Sequence, residues 1–254
     1  MKRKPFIAAN WKMHKSIEEG LAFFNSFHEK VKEIEDRETG LCVPYTMLYE
    51  INKLKKHLNS RIALGAENMH FEDHGAFTGE ISHDMLVECG VDYVVIGHSE
   101  RRHVFGETNE ILNKKMLKLQ SKNEMKAIFC IGELLEEREA GKANEVLRTQ
   151  LKNGLEGITK DYASKMVVAY EPVWAIGTGV SATKDDAVNA ITFVRKELTE
   201  LFDEETAQKI RIQYGGSVKP HNINEYMASE EIDGALVGGA ALKVDSFYQV
   251  LTKW

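Results

Sequence analysis

Residues 167–182 read VVAYEPVWAIGTGVSA and contain a complete strand-to-helix unit. Residues 167–170 are β-branched, small or aromatic without a polar break, the composition of a strand buried on both faces. Pro172 biases Glu171 toward an extended conformation and ends the run, so the strand delivers one carboxylate to its C-terminal rim. An apolar, glycine-rich loop follows over residues 173–179. Ser181 or Thr183 is then the expected N-cap of the helix suggested by DDAVNAITFVRKEL, residues 185–198. On this stretch alone, Glu171 is either a surface glutamate in an ordinary connection or a base beneath a loop cover.

The same unit recurs along the chain. FIAANW (6–11), LCVP (41–44), IALGA (62–66), YVVIG (93–97), AIFCIG (127–132), VVAYEP (167–172), IRIQYG (210–215) and GALVGG (234–239) are eight short apolar runs. Between them lie stretches with helical periodicity, among them IEEGLAFFNSFHEKVKEI, MLYEINKLKKHL, NEILNKKMLKLQ and SFYQVLTKW. Near-continuous apolar strands alternating with amphipathic helices imply a parallel sheet covered by helices. Eight units in 254 residues fit a closed (β/α)8 barrel better than an open doubly wound sheet. The GxGxxG fingerprint of the open fold is missing, and GTG at 177–179 has neither its spacing nor its acidic residue. No linker or low-complexity segment divides the chain, so residues 1–254 are expected to form one α/β domain.

Composition narrows the function classes. A net charge of −6 argues against nucleic acid or an anionic membrane as the main partner. No apolar run approaches the roughly 18 residues of a membrane span, and FIAA after MKRK is too short for a signal-peptide core, which points to the cytoplasm. Cys42, Cys89 and Cys130 are odd in number, far apart and within or beside apolar runs, as expected of buried thiols in a reducing compartment. His70 and His74 flank Glu72 and Asp73, but Gly75 follows and no Cys joins them, so a solvated loop is the better reading than a metal site.

In a barrel the chemistry sits at the C-terminal ends of the strands. Those ends carry Asn10 and Lys12, then His98, Ser99 and Glu100, then Glu171, and finally Gly215, Gly216, Ser217 and Gly238, Gly239. Glycine pairs after the seventh and eighth strands either make tight turns or hold a phosphate on backbone N–H groups. His98 precedes SERRHVF, a helical turn whose positive end would disfavour imidazolium.

NWKMH (10–14), GAFTGEIS (75–82), IGHSERR (96–102), YEPVWAIGTG (170–179), YGGSV (214–218) and LVGGA (236–240) together resemble the triosephosphate isomerase family, from about residue 5 to the end. The resemblance implies a TIM barrel that interconverts dihydroxyacetone phosphate and D-glyceraldehyde 3-phosphate in glycolysis and gluconeogenesis, with no metal or organic cofactor. It assigns Glu171 as base, His98 as neutral electrophile, and Lys12 and Asn10 as oxyanion stabilisers that also bind substrate. Gly177, Ser217, Gly238 and Gly239 would hold the phosphate. Glu100, next to Arg101, would organise the site; residues 173–179 would form a lid, and Ile176 on that lid and Leu236 on the eighth strand would close over the base. The loop at 70–80 would dock in a second copy, with Thr78 reaching the partner's Asn10 and Lys12, and Met13 and His14 lining the socket. Two positions depart from the family pattern. The lid's far hinge reads Val180, Ser181, Ala182 where many relatives have Lys-Thr-Ala, and Glu67 stands where most carry Gln. A different sugar-phosphate barrel enzyme, such as an epimerase or aldolase, would be expected to use other bases, a metal or a Schiff-base lysine. A non-catalytic phosphate binder would be expected to lose Glu171, His98 or Lys12.

Overall fold

The computed structural model describes residues 3–176 and 182–254. Its strands are β1 (Phe6–Asn10), β2 (Glu38–Val43), β3 (Ala63–Ala66), β4 (Tyr93–Ile96), β5 (Lys126–Ile131), β6 (Val167–Tyr170), β7 (Arg211–Tyr214) and β8 (Gly234–Val237). All neighbours are parallel and β1 pairs with both β2 and β8, which closes the sheet into a barrel. The strands run in chain order around the ring, each followed by at least one helical segment.

Period-two geometry explains why the strands read as unbroken apolar runs. Phe6, Ala8, Cys42, Val95, Ile128, Cys130, Val167, Ala169 and Leu236 form a cluster filling the barrel. Their alternates, such as Ile7, Ala9, Val94, Ile96, Phe129, Ile131 and Val168, belong to the layer under the helices. Each fully buried large side chain contributes about 1.5–3 kcal/mol, so both layers stabilise the ring.

The strand starting at Glu38 differs from expectation, because the apolar run begins only at Leu41. Its first residues pair through a polar plug at the N-terminal mouth. Tyr93 Oη donates to Glu38 Oε1 at 2.8 Å, and Arg211 donates to Glu38 Oε2 at 2.6 Å and to Tyr93 Oη at 2.8 Å. The Arg211 guanidinium also lies over the Phe6 ring. Charge inside the barrel is tolerated there because it is paired and hydrogen-bonded.

The helix Lys184–Leu201 begins where Thr183 caps it, with a reciprocal bond from Thr183 N–H to Asp186. Ser181, the other candidate cap, lies outside the described residues. Cys42 and Cys130 are buried and free, whereas Cys89 is only half-buried. His70 does not stand as a solvated ligand: it stacks on Phe71 and Phe77, and its Nδ1 accepts the Glu72 N–H.

Candidate active site

Barrel closure brings the polar strand ends to one mouth. A cleft of about 530 Å³ there is lined by Asn10, Lys12, His98, Glu171, Ile176 and Leu236 on one side, and by Ser217, Gly238 and Gly239 on the other.

Several contacts fix the end of β6. The Glu171 N–H donates to Ile131 O at 2.7 Å, and the Gly215 N–H donates to Tyr170 O at 2.7 Å, so β5 and β7 grip the backbone on both sides of the glutamate. On the β5 side, Gln150 pairs with both backbone groups of Gly132. A Cβ at Gly132 would land on the Glu171 carbonyl oxygen, so only glycine allows this approach. Beyond Pro172, Glu133 Oε1 accepts from Tyr170 Oη at 3.0 Å and Trp174 Nε1 at 2.8 Å, anchoring the 3-10 turn Val173–Ala175. Burial raises the Glu133 carboxyl above its ordinary pKa.

The Glu171 side chain is 2% exposed. Oε2 accepts the Ser99 N–H at 2.9 Å, and Oε1 is 2.9 Å from His98 Nε2. His98 is the N-cap of the helical turn Ser99–His103, and its Nδ1 accepts the Glu100 N–H at 3.2 Å. With Nδ1 occupied as an acceptor, Nε2 carries the ring proton and points it at Glu171. Arg102 braces this corner by donating to Gly97 O and Cys130 O.

Two influences on His98 therefore compete. Burial works against charge on the ring, the adjacent Glu171 carboxylate works for it, and the His98 pKa stands above its ordinary value in this arrangement. The helix end alone would have had the opposite effect. Without the carboxylate's raising influence, burial and the Lys12 charge remain and favour the neutral ring. In Glu171→Gln the imidazole resonance of His98 should accordingly titrate at lower pH than in wild type. An unchanged midpoint would transfer the elevation to Glu100.

Lys12 follows Asn10 with φ 55, an uncommon conformation for a side chain with a Cβ, and its N–H donates to Asn10 Oδ1 at 3.1 Å. Lys12 Nζ is 2.7 Å from Glu100 Oε1, which gives that carboxylate its partner. Arg101, its neighbour in sequence, turns instead to Glu107 at 2.6 Å.

The two glycine pairs are not equivalent. A Cβ on Gly215 would stand 2.9 Å from Glu171 Cγ, and one on Gly216 would strike the Tyr214 hydroxyl, so packing accounts for both. Among the described residues, Gly239 has nothing within 4 Å of a virtual Cβ, and Gly238 has only Lys12 Cε at 3.8 Å. The second pair leaves its backbone open beside a cation, as an anion site requires.

The structure thus brings together Asn10, Lys12, His98, Glu171, Ile176, Ser217, Leu236, Gly238 and Gly239, with Glu100 behind Lys12. Gly177, Val180 and Ser181 lie outside the described residues. Sequence reasoning gave no role to the Ser99 N–H, because a backbone donor leaves no side-chain signal. It also passed over Lys219, Pro220, His221 and Ser246, which extend the cleft.

What such an arrangement can do is take a proton with a carboxylate and stabilise the resulting charge with imidazole N–H and ammonium, beside an anion-binding turn. That is the chemistry of a (β/α)8 barrel isomerase. A family model described as triosephosphate isomerase matches residues 5–254. The chain is 52% identical over 249 residues to a triosephosphate isomerase of Dictyoglomus turgidum, covering 98% of this chain and 99% of the relative. It is 50% identical to one of Carboxydothermus hydrogenoformans, covering 98% of each. The crystal structure of triosephosphate isomerase from Bartonella henselae is similar with a TM-score of 0.86 and 37% identity, covering 98% of each chain. The chain belongs to the triosephosphate isomerase family.

Proposed function

We propose that Glu171 and His98 carry the interconversion of dihydroxyacetone phosphate and D-glyceraldehyde 3-phosphate in this protein. Glu171 takes a proton from the carbon beside the carbonyl and returns it to the neighbouring carbon, so no electrons leave the substrate. His98 donates from Nε2 to the carbonyl oxygens as the enediolate forms. Lys12 and Asn10 stabilise the developing oxyanion, while Ser217, Gly238 and Gly239 hold the phosphate, joined by Gly177 on the family pattern. Ile176 and Leu236 cover the base. The observation that carries this reading is the 2.9 Å contact of His98 Nε2 with Glu171 Oε1 in one cleft with Lys12. The test is formation of glyceraldehyde 3-phosphate from dihydroxyacetone phosphate by purified, metal-stripped protein. Full activity is expected, and its absence while the fold persists would overturn the reading.

The functional unit we propose is a homodimer of single-domain barrels in the cytoplasm. Among the described residues no helix is long and apolar enough to cross a membrane. Met13 is 95% exposed and Phe77 43% exposed, on the loops after β1 and β3, and Phe105 after β4 is 64% exposed. Large apolar groups this open on neighbouring loops favour a second copy covering them, with the 70–80 loop and Thr78 entering the socket. Sedimentation should give twice the mass of the chain, and a fully active monomer would contradict the docking.

A further inference from the structure

Among the described residues two lysines line the cleft, and they differ in what they leave for an incoming anion. The Lys12 charge is met by Glu100 at 2.7 Å. Lys219 is exposed at the rim and has no carboxylate partner among the described residues. Among the described residues the one carboxylate lining the cleft, Glu171, is buried against His98. Lys219 is therefore the lining group that gives the approach to the cleft a positive sign, in a chain whose net charge is −6.

Its position is built. The Lys219 N–H donates to Asn222 Oδ1 at 2.7 Å, and Asn222 Nδ2 donates to Ser217 O at 3.0 Å. The N–H groups of Asn222 and Ile223 both return to Lys219 O. One asparagine side chain thus closes the turn and ties Lys219 to Ser217. Only Val218 separates them, so their Cα atoms are at most about 7 Å apart. That is within the Debye length of about 8 Å at physiological ionic strength, so a charge there acts on a phosphate near Ser217 before contact is made.

We infer that Lys219 captures the substrate dianion at the rim and steers it to the phosphate turn, raising the association rate and leaving the chemical step alone. The inference rests on placing the phosphate at Ser217, Gly238 and Gly239. Because the interaction acts across solvent, it weakens with salt, unlike the short hydrogen bonds of the turn.

The test compares wild type, Lys219→Gln, Lys219→Glu and Lys219→Arg over ionic strengths from about 0.01 to 1 M, where the Debye length falls from about 30 to 3 Å. Lys219→Gln should lower kcat/KM for glyceraldehyde 3-phosphate roughly two- to fivefold at low salt, Lys219→Glu about tenfold, and both gaps should close at high salt. Lys219→Arg should keep the wild-type salt slope. With D-glyceraldehyde, which has no phosphate, the wild-type to Lys219→Gln ratio should stay near one. A loss equal for both substrates, a loss independent of salt, or no loss at low salt would each overturn the inference. Ser217→Ala separates the two readings: a salt-independent loss for the phosphorylated substrate supports the phosphate turn, and no loss removes that turn without altering the Lys219 salt series.

Discussion

Glu171→Asp should lower kcat roughly a hundredfold or more with little change in KM. The substitution keeps the charge and removes one methylene, drawing the carboxylate back by about 1.5 Å, and misplacement of a reacting group by about 1 Å costs on the order of a hundredfold. The backbone will not compensate, since β5 and β7 hold it through the Ile131 and Tyr170 carbonyls. In the proposed reading substrate binding rests on other groups, namely Ser217, Gly238, Gly239, Lys12 and Asn10, so the loss should fall on kcat and kcat/KM together. Steady-state kinetics in both directions measures it. An unchanged kcat would remove Glu171 from the proton transfer, whereas a raised KM at constant kcat would make it a binding group.

The position of Glu171 at a strand end is also the most legible feature of the candidate site. An apolar run stopped by Glu-Pro can only put the carboxylate on a rim, and the eight such runs account for the ring. The departure at β2 has a physical cause: Glu38 stands inside the barrel mouth because Tyr93 and Arg211, from strands far along the chain, satisfy it. No local pattern carries that information. The glycines illustrate the same limit, since Gly215–Gly216 and Gly238–Gly239 look alike in sequence. Only the third dimension shows Glu171 Cγ and the Tyr214 hydroxyl filling the space beside the first pair. His98 was read from its helix end, and the opposing influence came from a strand two places away in the ring. Lys219 went unremarked because an exposed lysine in a turn is ordinary until the cleft and the Lys12–Glu100 pair are known.

Glu67→Gln should stabilise the protein, with a gain that grows as pH rises from acid to mildly alkaline. Glu67 follows β3 and is half-buried, with Oε1 enclosed and without a hydrogen-bond partner among the described residues. Burial pushes its carboxyl up to about 8; the Glu100 charge adds to this, and the Lys12 N–H and ammonium pull the other way without overcoming it. A carboxyl held above its unfolded pKa takes up a proton more readily in the folded state. Its favourable contribution is therefore complete below the unfolded value near 4.5 and is lost as pH climbs through 8. At about 1.4 kcal/mol per pH unit over that window the ceiling is about 5 kcal/mol, but partial exposure and the unmet hydrogen bond of the new amide reduce the gain to roughly 1–3 kcal/mol. For a chain of this size that is roughly 2–4 °C in Tm per kcal/mol. Paired melts at pH 4, 6 and 8.5 and one protein concentration read it, the fixed concentration removing any contribution from mass action on the proposed dimer. Little gain at pH 4, an intermediate one at pH 6 and the largest at pH 8.5 is the expected order. A gain equal at every pH would mean that the amide improves packing and that Glu67 is not a titrating liability. No gain at all would mean that the carboxylate has a donor in solution, which in the proposed dimer is the loop of a second copy.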